Sequence, residues 1–232
     1  MQFRLKGIQK TTLLDFPGRV SATVFTGGCN FRCPYCHNIS LVEGHQNLPD
    51  LPLDEVLAFF VSRKCWLDGI VISGGEPTLA DGIIDFSRSI KDIGLDVKWD
   101  TNGSHPDIIE QGLDEKVVDY IAMDIKSSPS DYKRAAGVNV DLNLIRRSIE
   151  LLKEKCPEYE FRTTVVPALH NEDTIMEIVG FIGGGKKFSL QQFHQISTLD
   201  SSFQEQKAFS RNVLEIFQGK ISQYFDKCDI RN

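Results

Sequence analysis

Six short runs rich in apolar and β-branched residues alternate along the chain with stretches of helical period. This alternation limits the fold more than any other feature. The runs are Val20–Thr26, Ile70–Ser73, Leu95–Trp99, Tyr120–Asp124, Glu160–Val166 and Phe188–Phe193. Between them, Leu53–Lys64 sets Leu53, Val56, Leu57, Phe60 and Val61 on one helical face, and Leu142–Leu152 does the same with Leu142, Ile145, Ile149 and Leu152. Thr174–Ile182 and Phe203–Phe217 behave similarly, and Phe59, Phe60, Phe86, Phe209 and Phe217 fit the buried faces of helices. Strands alternating with helices imply right-handed crossovers and a parallel sheet. About six such units suit a partial or full β/α barrel or an open doubly wound sheet, and periodicity does not choose between them. No Pro/Gly/Ser linker divides the 232 residues, so one domain over 1–232 is expected.

In parallel α/β folds, ligand-binding groups gather at the carboxyl ends of strands. Here the unusual segments follow strands: "GGCNFRCPYCHN" after the first, "GGEP" (Gly74–Pro77) after the second and "DTNG" (Asp100–Gly103) after the third. "MDIK" (Met123–Lys126) ends the fourth. All four are expected to open onto one mouth.

The first of these segments holds Cys29, Cys33 and Cys36, followed at once by His37. The net charge of -6 shows no basic footprint, which argues against nucleic-acid binding. No apolar leader and no apolar run long enough for a bilayer is present, so a cytoplasmic protein without a membrane partner is expected. In a reducing compartment, clustered cysteines serve metals or redox chemistry rather than disulfides. Cys65, Cys156 and Cys228 are far apart and read as small core residues. A structural zinc needs four ligands. His37 adjoins Cys36 and must bend back to be the fourth, so a zinc site using it, or the distant His45, stays open. "CPYCH" matches the c-type haem pattern, and Cys33 with Cys36 matches a redox pair, but both leave Cys29 unexplained. A [4Fe–4S] cluster uses all three thiolates and keeps one iron open for a substrate or cofactor.

The segment "CNFRCPYC" resembles the signature of the radical S-adenosylmethionine (radical SAM) enzymes. The wider "LLDFPGRVSATVFTGGCNFRCPYCHN" resembles the activating enzymes of glycyl-radical enzymes. Within them it is most similar to the activators of anaerobic ribonucleoside-triphosphate reductase, then to those of pyruvate formate-lyase. The resemblance runs from Leu13 to about His194 and is most specific in the motifs. It implies a partial (β/α)6 TIM-like barrel with the cluster loop near 27–38, and S-adenosylmethionine as the cofactor. Gly74, Gly75, Glu76 and Pro77 then fall where the family binds the methionine amino group. Asp100, Thr101 and Asn102 face the ribose or a cation, while Asp124 and Lys126 lie near the ribose and a bound peptide. Arg162 would pair with the cofactor carboxylate, and His194 would lie near adenine. Without the resemblance, GGEP and DTNG read as turns, Asp124 and Lys126 as a strand-end pair, and His194 as a structural histidine. His105 and His170, in loops, receive no role. The implied partners are a glycyl-radical enzyme and a flavodoxin- or ferredoxin-like electron donor. The further C-x-x-C groups that some relatives carry after the cluster loop do not occur here. That favours the reductase or the lyase as partner. A radical SAM enzyme acting on a small molecule and a non-enzymatic iron–sulfur carrier are the alternatives.

Overall fold

A computed structural model describes residues 3–231. Eight strands form one sheet in chain order: β1 (Leu5–Thr12), β2 (Ser21–Thr26), β3 (Gly69–Gly74), β4 (Asp96–Thr101), β5 (Tyr120–Asp124), β6 (Glu158–Val165), β7 (Gly185–Gln192) and β8 (Phe225–Arg231). β1 is antiparallel to β2, every pairing from β2 to β8 is parallel, and β1 and β8 are the edges, β1 bridged at Leu5 by Leu51. The helices are α1 (Ile39–Val42), α2 (Leu53–Arg63), α3 (Ile83–Ile93), α4 (Pro106–Asp114), α5 (Tyr132–Ala136), α6 (Leu142–Lys155), α7 (Glu172–Ile182) and α8 (Arg211–Ile221). Sequential parallel strands with right-handed crossovers put the long helices on one face. There α2 packs on α3, α4 on α6, α6 on α7, and α7 on α8. The six expected runs are β2 to β7. The open sheet extends them by one strand at each edge.

The two faces of the sheet carry opposite chemistry because strand side chains alternate. Ile70, Ile72, Val97, Trp99, Ile121, Met123, Phe161, Phe188 and Leu190 join the main core with residues of the helices. Trp99 fixes two of those helices. Its Nε1 donates to Ser87 Oγ of α3 at 3.0 Å, and its ring lies so near Gly112 of α4 that a Cβ there would come within 2.4 Å. The intervening residues are polar: Thr23 on β2, Ser73 on β3, Lys98 and Asp100 on β4, Asp124 on β5, Glu160 and Arg162 on β6, and Ser189 on β7. Towards the amino-terminal strand ends, Phe16, Val71, Tyr120 and Ala122 form a separate apolar plug. Phe16 comes from the turn after β1. Arg19 holds that turn in place by lying 4.5 Å over the Phe16 ring and pairing with Asp96 and Glu158.

Several elements differ from the sequence reading. β1 ("LKGIQKTT") and β8 ("FDKCDIR") are half-exposed edge strands, so neither shows the apolar run that marks a buried strand. Of α3 the sequence reading marks only Phe86, and of α4 nothing. The expected helix Phe203–Phe217 is a 3-10 turn (Ser201–Glu205), an extended link and α8, whose first residue follows Ser210. Val61 is 55% exposed rather than buried with its neighbours. Cys65 is exposed and Cys228 partly so; only Cys156 is the buried residue expected. Among the described residues no helix is long and apolar enough to cross a membrane.

Candidate active site

The cysteine loop leaves β2 and returns to α1. Gly28 N donates to Leu41 O at 2.7 Å, Phe31 N to Cys29 Sγ at 3.4 Å, and Cys36 N to Cys33 O at 3.0 Å. One side of the loop is apolar, since Phe31, Cys33 and Tyr35 join the main core together with Tyr132, Ala135 and Ala136 of α5. All three cysteines are free thiols; Cys33 is buried, Cys29 and Cys36 partly so. Burial pushes the Cys29 thiol up, and the Cys33 thiol to about 11 against the pull of Lys126. Metal binding at such thiols must displace protons. Among the described residues no three His, Cys, Asp or Glu side chains converge tightly enough to share one ion. A cubane requires no such convergence, because each thiolate takes a different iron. His37 faces away from the thiols: its Nε2 donates to His194 O at 2.9 Å and its ring stacks on Phe193.

The GGEP loop is stitched to the strand and loop before it through backbone, and the DTNG loop through side chains. Gly75 N donates to Thr26 O at 3.1 Å and Glu76 N to Gly28 O at 2.8 Å. A Cβ on Gly75 would lie 1.9 Å from Gly28 O, so only glycine permits this approach. Pro77 is buried and starts the 3-10 turn Pro77–Leu79. The buried Glu76 carboxylate accepts from Thr78 N (3.1 Å), Thr78 Oγ1 (2.6 Å), Thr101 Oγ1 (2.8 Å) and Asn102 N (2.7 Å). Burial lifts its pKa above the usual range despite these bonds. Asn102 Nδ2 donates in turn to Asn30 Oδ1 at 2.9 Å, closing the link back to the cysteine loop. Glu76 therefore serves as a clasp between loops.

A string of alternating charges crosses the inner face. Lys98 pairs with Asp100, and Arg162 approaches Asp100 through Nη1 at 3.3 Å while its Nε donates to Asp124 Oδ1 at 2.7 Å. Lys126 Nζ donates to Asp124 Oδ2 at 3.0 Å. Burial alone would raise both aspartates. Arg162 with Lys98 at Asp100, and Arg162 with Lys126 at Asp124, outweigh it and hold both carboxyls below their usual range. The end of this string is pinned by His170, whose Nε2 donates to Lys126 O at 3.0 Å while Nδ1 accepts from Val166 N at 3.0 Å.

That bonding fixes one neutral tautomer, and burial lowers the His170 pKa. The unfolded chain therefore takes up its proton first on acidification. Stability from this residue is fully present above about pH 6.5 and is lost as pH falls from there through the folded value. Melting curves between pH 7.5 and 5 should show a decline that flattens in His170→Asn, before the carboxylates titrate. An unchanged slope in the variant would refute this.

The four loops enclose a cavity of about 300 Å³. Cys29, Gly74, Gly75, Glu76, Asp100, Thr101, Asn102, Asp124, Lys126 and Arg162 all line it, as the sequence reading expects. Cys33, Cys36, Pro77 and His194 do not, and the His194 side chain is exposed beyond β7. Asp15, Ser73 and Gln191 also line it and were missed. The inward period of β3 and β7 marks Ser73 and Gln191 once their register is known. Asp15 enters from the turn after β1, held by Thr23 Oγ1 at 2.6 Å. A larger cavity of about 530 Å³ lies behind Gly27, between Arg4, Lys6, His45 and Asp81, outside these loops.

Residues 23–182 match the Radical SAM superfamily. The chain belongs to this superfamily. It is 35% identical, over 100% of its length and 97% of the relative's, to a Methanocaldococcus jannaschii protein provisionally named a glycyl-radical enzyme activating enzyme. It is 25% identical to the pyruvate formate-lyase 1-activating enzyme of Escherichia coli K12, covering 83% of this chain and 81% of that one. Among solved structures, Streptococcus suis SuiB bound to the precursor peptide SuiA superposes with a TM-score of 0.67 at 14% identity. That match covers 90% of this radical SAM chain and 48% of SuiB, so the chain spans about half of SuiB's length. A domain of pyruvate-formate lyase-activating enzyme from Bacteroides vulgatus gives 0.58 at 17% identity, covering 71% and 99%. Both structures share the fold.

Proposed function

We propose that this radical SAM protein, read as one domain over 1–232, holds a [4Fe–4S] cluster on Cys29, Cys33 and Cys36 and S-adenosylmethionine in the adjoining cavity. Its task is to activate a glycyl-radical enzyme. One observation carries the reading: the cysteine loop and the GGEP, DTNG and MDIK segments, from four successive strands, surround a single cavity. The full-length likeness to the M. jannaschii protein supports the activase role.

When bound, cluster and cofactor together supply one-electron cleavage of a sulfonium and a carbon radical that removes a hydrogen atom from glycine. The chain's residues hold and shield the reactants. The ionised Asp100 and Asp124 offer acceptors for ribose hydroxyls. Arg162 keeps N–H donors beyond those facing the two aspartates, which suits a carboxylate. Backbone carbonyls near Gly74 and Gly75 suit an ammonium better than Glu76, whose oxygens already accept four bonds. Lys126 adds a cation beside Asp124, while Phe31 and Tyr35 exclude water. For adenine, Gln191 is better placed than His194, since it already lines the cavity. No general acid or base is needed, and the site contains no nucleophile–base pair.

The lack of further C-x-x-C groups favours anaerobic ribonucleoside-triphosphate reductase or pyruvate formate-lyase as partner, and the "LLDFPG" turn tilts the choice to the reductase. A flavodoxin- or ferredoxin-like protein would supply the electron. Anaerobic incubation with S-adenosylmethionine and dithionite should yield 5′-deoxyadenosine. Adding the reductase should produce a glycyl radical by electron paramagnetic resonance. A radical only on the lyase would move the partner assignment, and an intact cluster without any cleavage would favour an electron carrier instead.

A further inference from the structure

Buried polar side chains in a folded protein almost always find a hydrogen-bond partner, so each exception asks for one. Among the described residues four buried side-chain atoms bond nothing: Ser21 Oγ, His45 Nδ1, Ser127 Oγ and the Tyr132 hydroxyl. Ser21 starts β2, at the end of the strand away from the site, and His45 borders the cavity behind Gly27. Ser127 follows Lys126 and is wholly buried. Tyr132 is the largest of these groups, is only 1% exposed, and belongs to the shell of the cysteine loop.

Tyr132 opens α5, whose buried side also carries Ala135 and Ala136 and packs with Phe31, Cys33 and Tyr35. Helix and loop are locked together. Arg32 N donates to Ala136 O at 2.8 Å, and a Cβ on Gly137 (φ +71) would lie 1.9 Å from Arg32 O. The ring cannot retreat from the loop without opening that seam. The charges of Lys126, Cys33 and Asp124 all bear on its hydroxyl. Burial pushes the phenol pKa up, so the group keeps its proton and stays a donor. Cys29 Sγ accepts from Phe31 N at 3.4 Å, whereas among the described residues no donor reaches Cys33 Sγ. A dry phenol with a proton and no acceptor, set beside that thiol, suits a partner that arrives with the cluster: sulfur atoms carrying negative charge.

We propose that the Tyr132 hydroxyl donates a hydrogen bond to a sulfur of the cluster held at Cys33, and thereby raises the cluster's reduction potential. A reduced cluster carries one more negative charge than the oxidised one, so a donor favours it. No covalent bond changes, and the proton stays on the phenol. The inference rests on the three-thiolate reading and adds a residue that sets how readily the cluster takes its electron.

Tyr132→Phe removes the hydroxyl and keeps the ring, so the reconstituted variant should hold as much iron and sulfide as the wild type. In a spectroelectrochemical titration without S-adenosylmethionine, its cluster should be reduced at a more negative potential. At the wild-type midpoint its reduced-to-oxidised ratio should be about tenfold lower, a shift of about 59 mV for one electron. Electron–nuclear double resonance of the reduced wild-type cluster, compared in H2O and D2O, should show an exchangeable proton that the variant lacks. Protein prepared without iron gives a separate measure. There Tyr132→Phe should melt no lower than wild type, because a buried hydroxyl without a partner adds no stability. An unchanged potential in the loaded variant would overturn the hydrogen bond, as would an exchangeable proton that survives the substitution. A cluster-free variant that melts lower would overturn it too, by assigning the hydroxyl a partner within the protein. A wild-type protein that binds no cubane would instead remove the three-thiolate reading, and this inference with it.

Discussion

Cys33→Ala is expected to fold normally yet retain neither a cubane cluster nor cleavage of S-adenosylmethionine. Cys33 is the most buried of the three cysteines and the one set deepest against Tyr35 and Tyr132. Its loss leaves two partly exposed thiols, and a cubane anchored by two thiolates exposes two irons to solvent and exchange. Iron and sulfide content should fall with the visible absorption. Formation of 5′-deoxyadenosine should drop by at least roughly a hundredfold, about 2.7 kcal/mol of barrier. Circular dichroism should stay near wild type, because the backbone bonds of the loop do not involve the Cys33 side chain. Cys65→Ala is the matched control: that thiol is exposed and outside the site, so cluster content and turnover should be unchanged. Full cleavage activity in Cys33→Ala would disprove the three-thiolate assignment.

How far the sequence anticipated the site follows from where each residue lies. β2 to β7 announce themselves because their outer faces bury Val, Ile and Phe against helices. The four site segments follow four of those strands, so convergence was legible before any coordinates. β1 and β8 escaped because an edge strand buries too little to show a period. Asp15 escaped for another reason: it belongs to a turn that folds back into the sheet's inner face, and no local pattern reports such a return. Glu76 lines the cavity with its carboxylate already engaged. Its sequence neighbours suggest a free acceptor, whereas Thr78, Thr101 and Asn102 come from two loops to occupy it. Nothing in the run "LDVKW", which also holds Asp96, marks Lys98 as part of the site. Lys98 becomes intelligible only when Asp100 and Arg162 stand beside it on the inner face.

Arg162→Met should produce the largest loss of stability among single changes at the site, together with a loss of cofactor affinity. Arg162 is 9% exposed and stands between Asp100 and Asp124, close to each. Removing it leaves two half-buried carboxylates facing one another, with Lys98 and Lys126 serving only the outer ends of the string. Breaking a buried pair of this kind costs about 3–5 kcal/mol, a large share of the roughly 5–15 kcal/mol that holds a domain together. The sign of the pH dependence separates this account from simple loss of packing. In the wild type both aspartates titrate below the unfolded value near 4, so the stability they contribute is present above that pH and is lost on further acidification. Without the guanidinium, burial and mutual repulsion dominate, and a carboxyl that titrates above its unfolded value gains stability as pH falls. Urea titrations between pH 7 and 5 should therefore show Arg162→Met becoming more stable with acid while the wild type does not. Arg162→Lys should recover only part of the loss, because a single ammonium cannot reach both partners as a planar fork does. Equilibrium binding of S-adenosylmethionine to cluster-loaded protein should weaken by about tenfold or more in both variants, in line with a charge-assisted hydrogen bond of roughly 1.5–3 kcal/mol. Stability unaffected by Arg162→Met would mean that the aspartates do not depend on the guanidinium. Unchanged cofactor affinity with the predicted instability would confine Arg162 to holding the two strands.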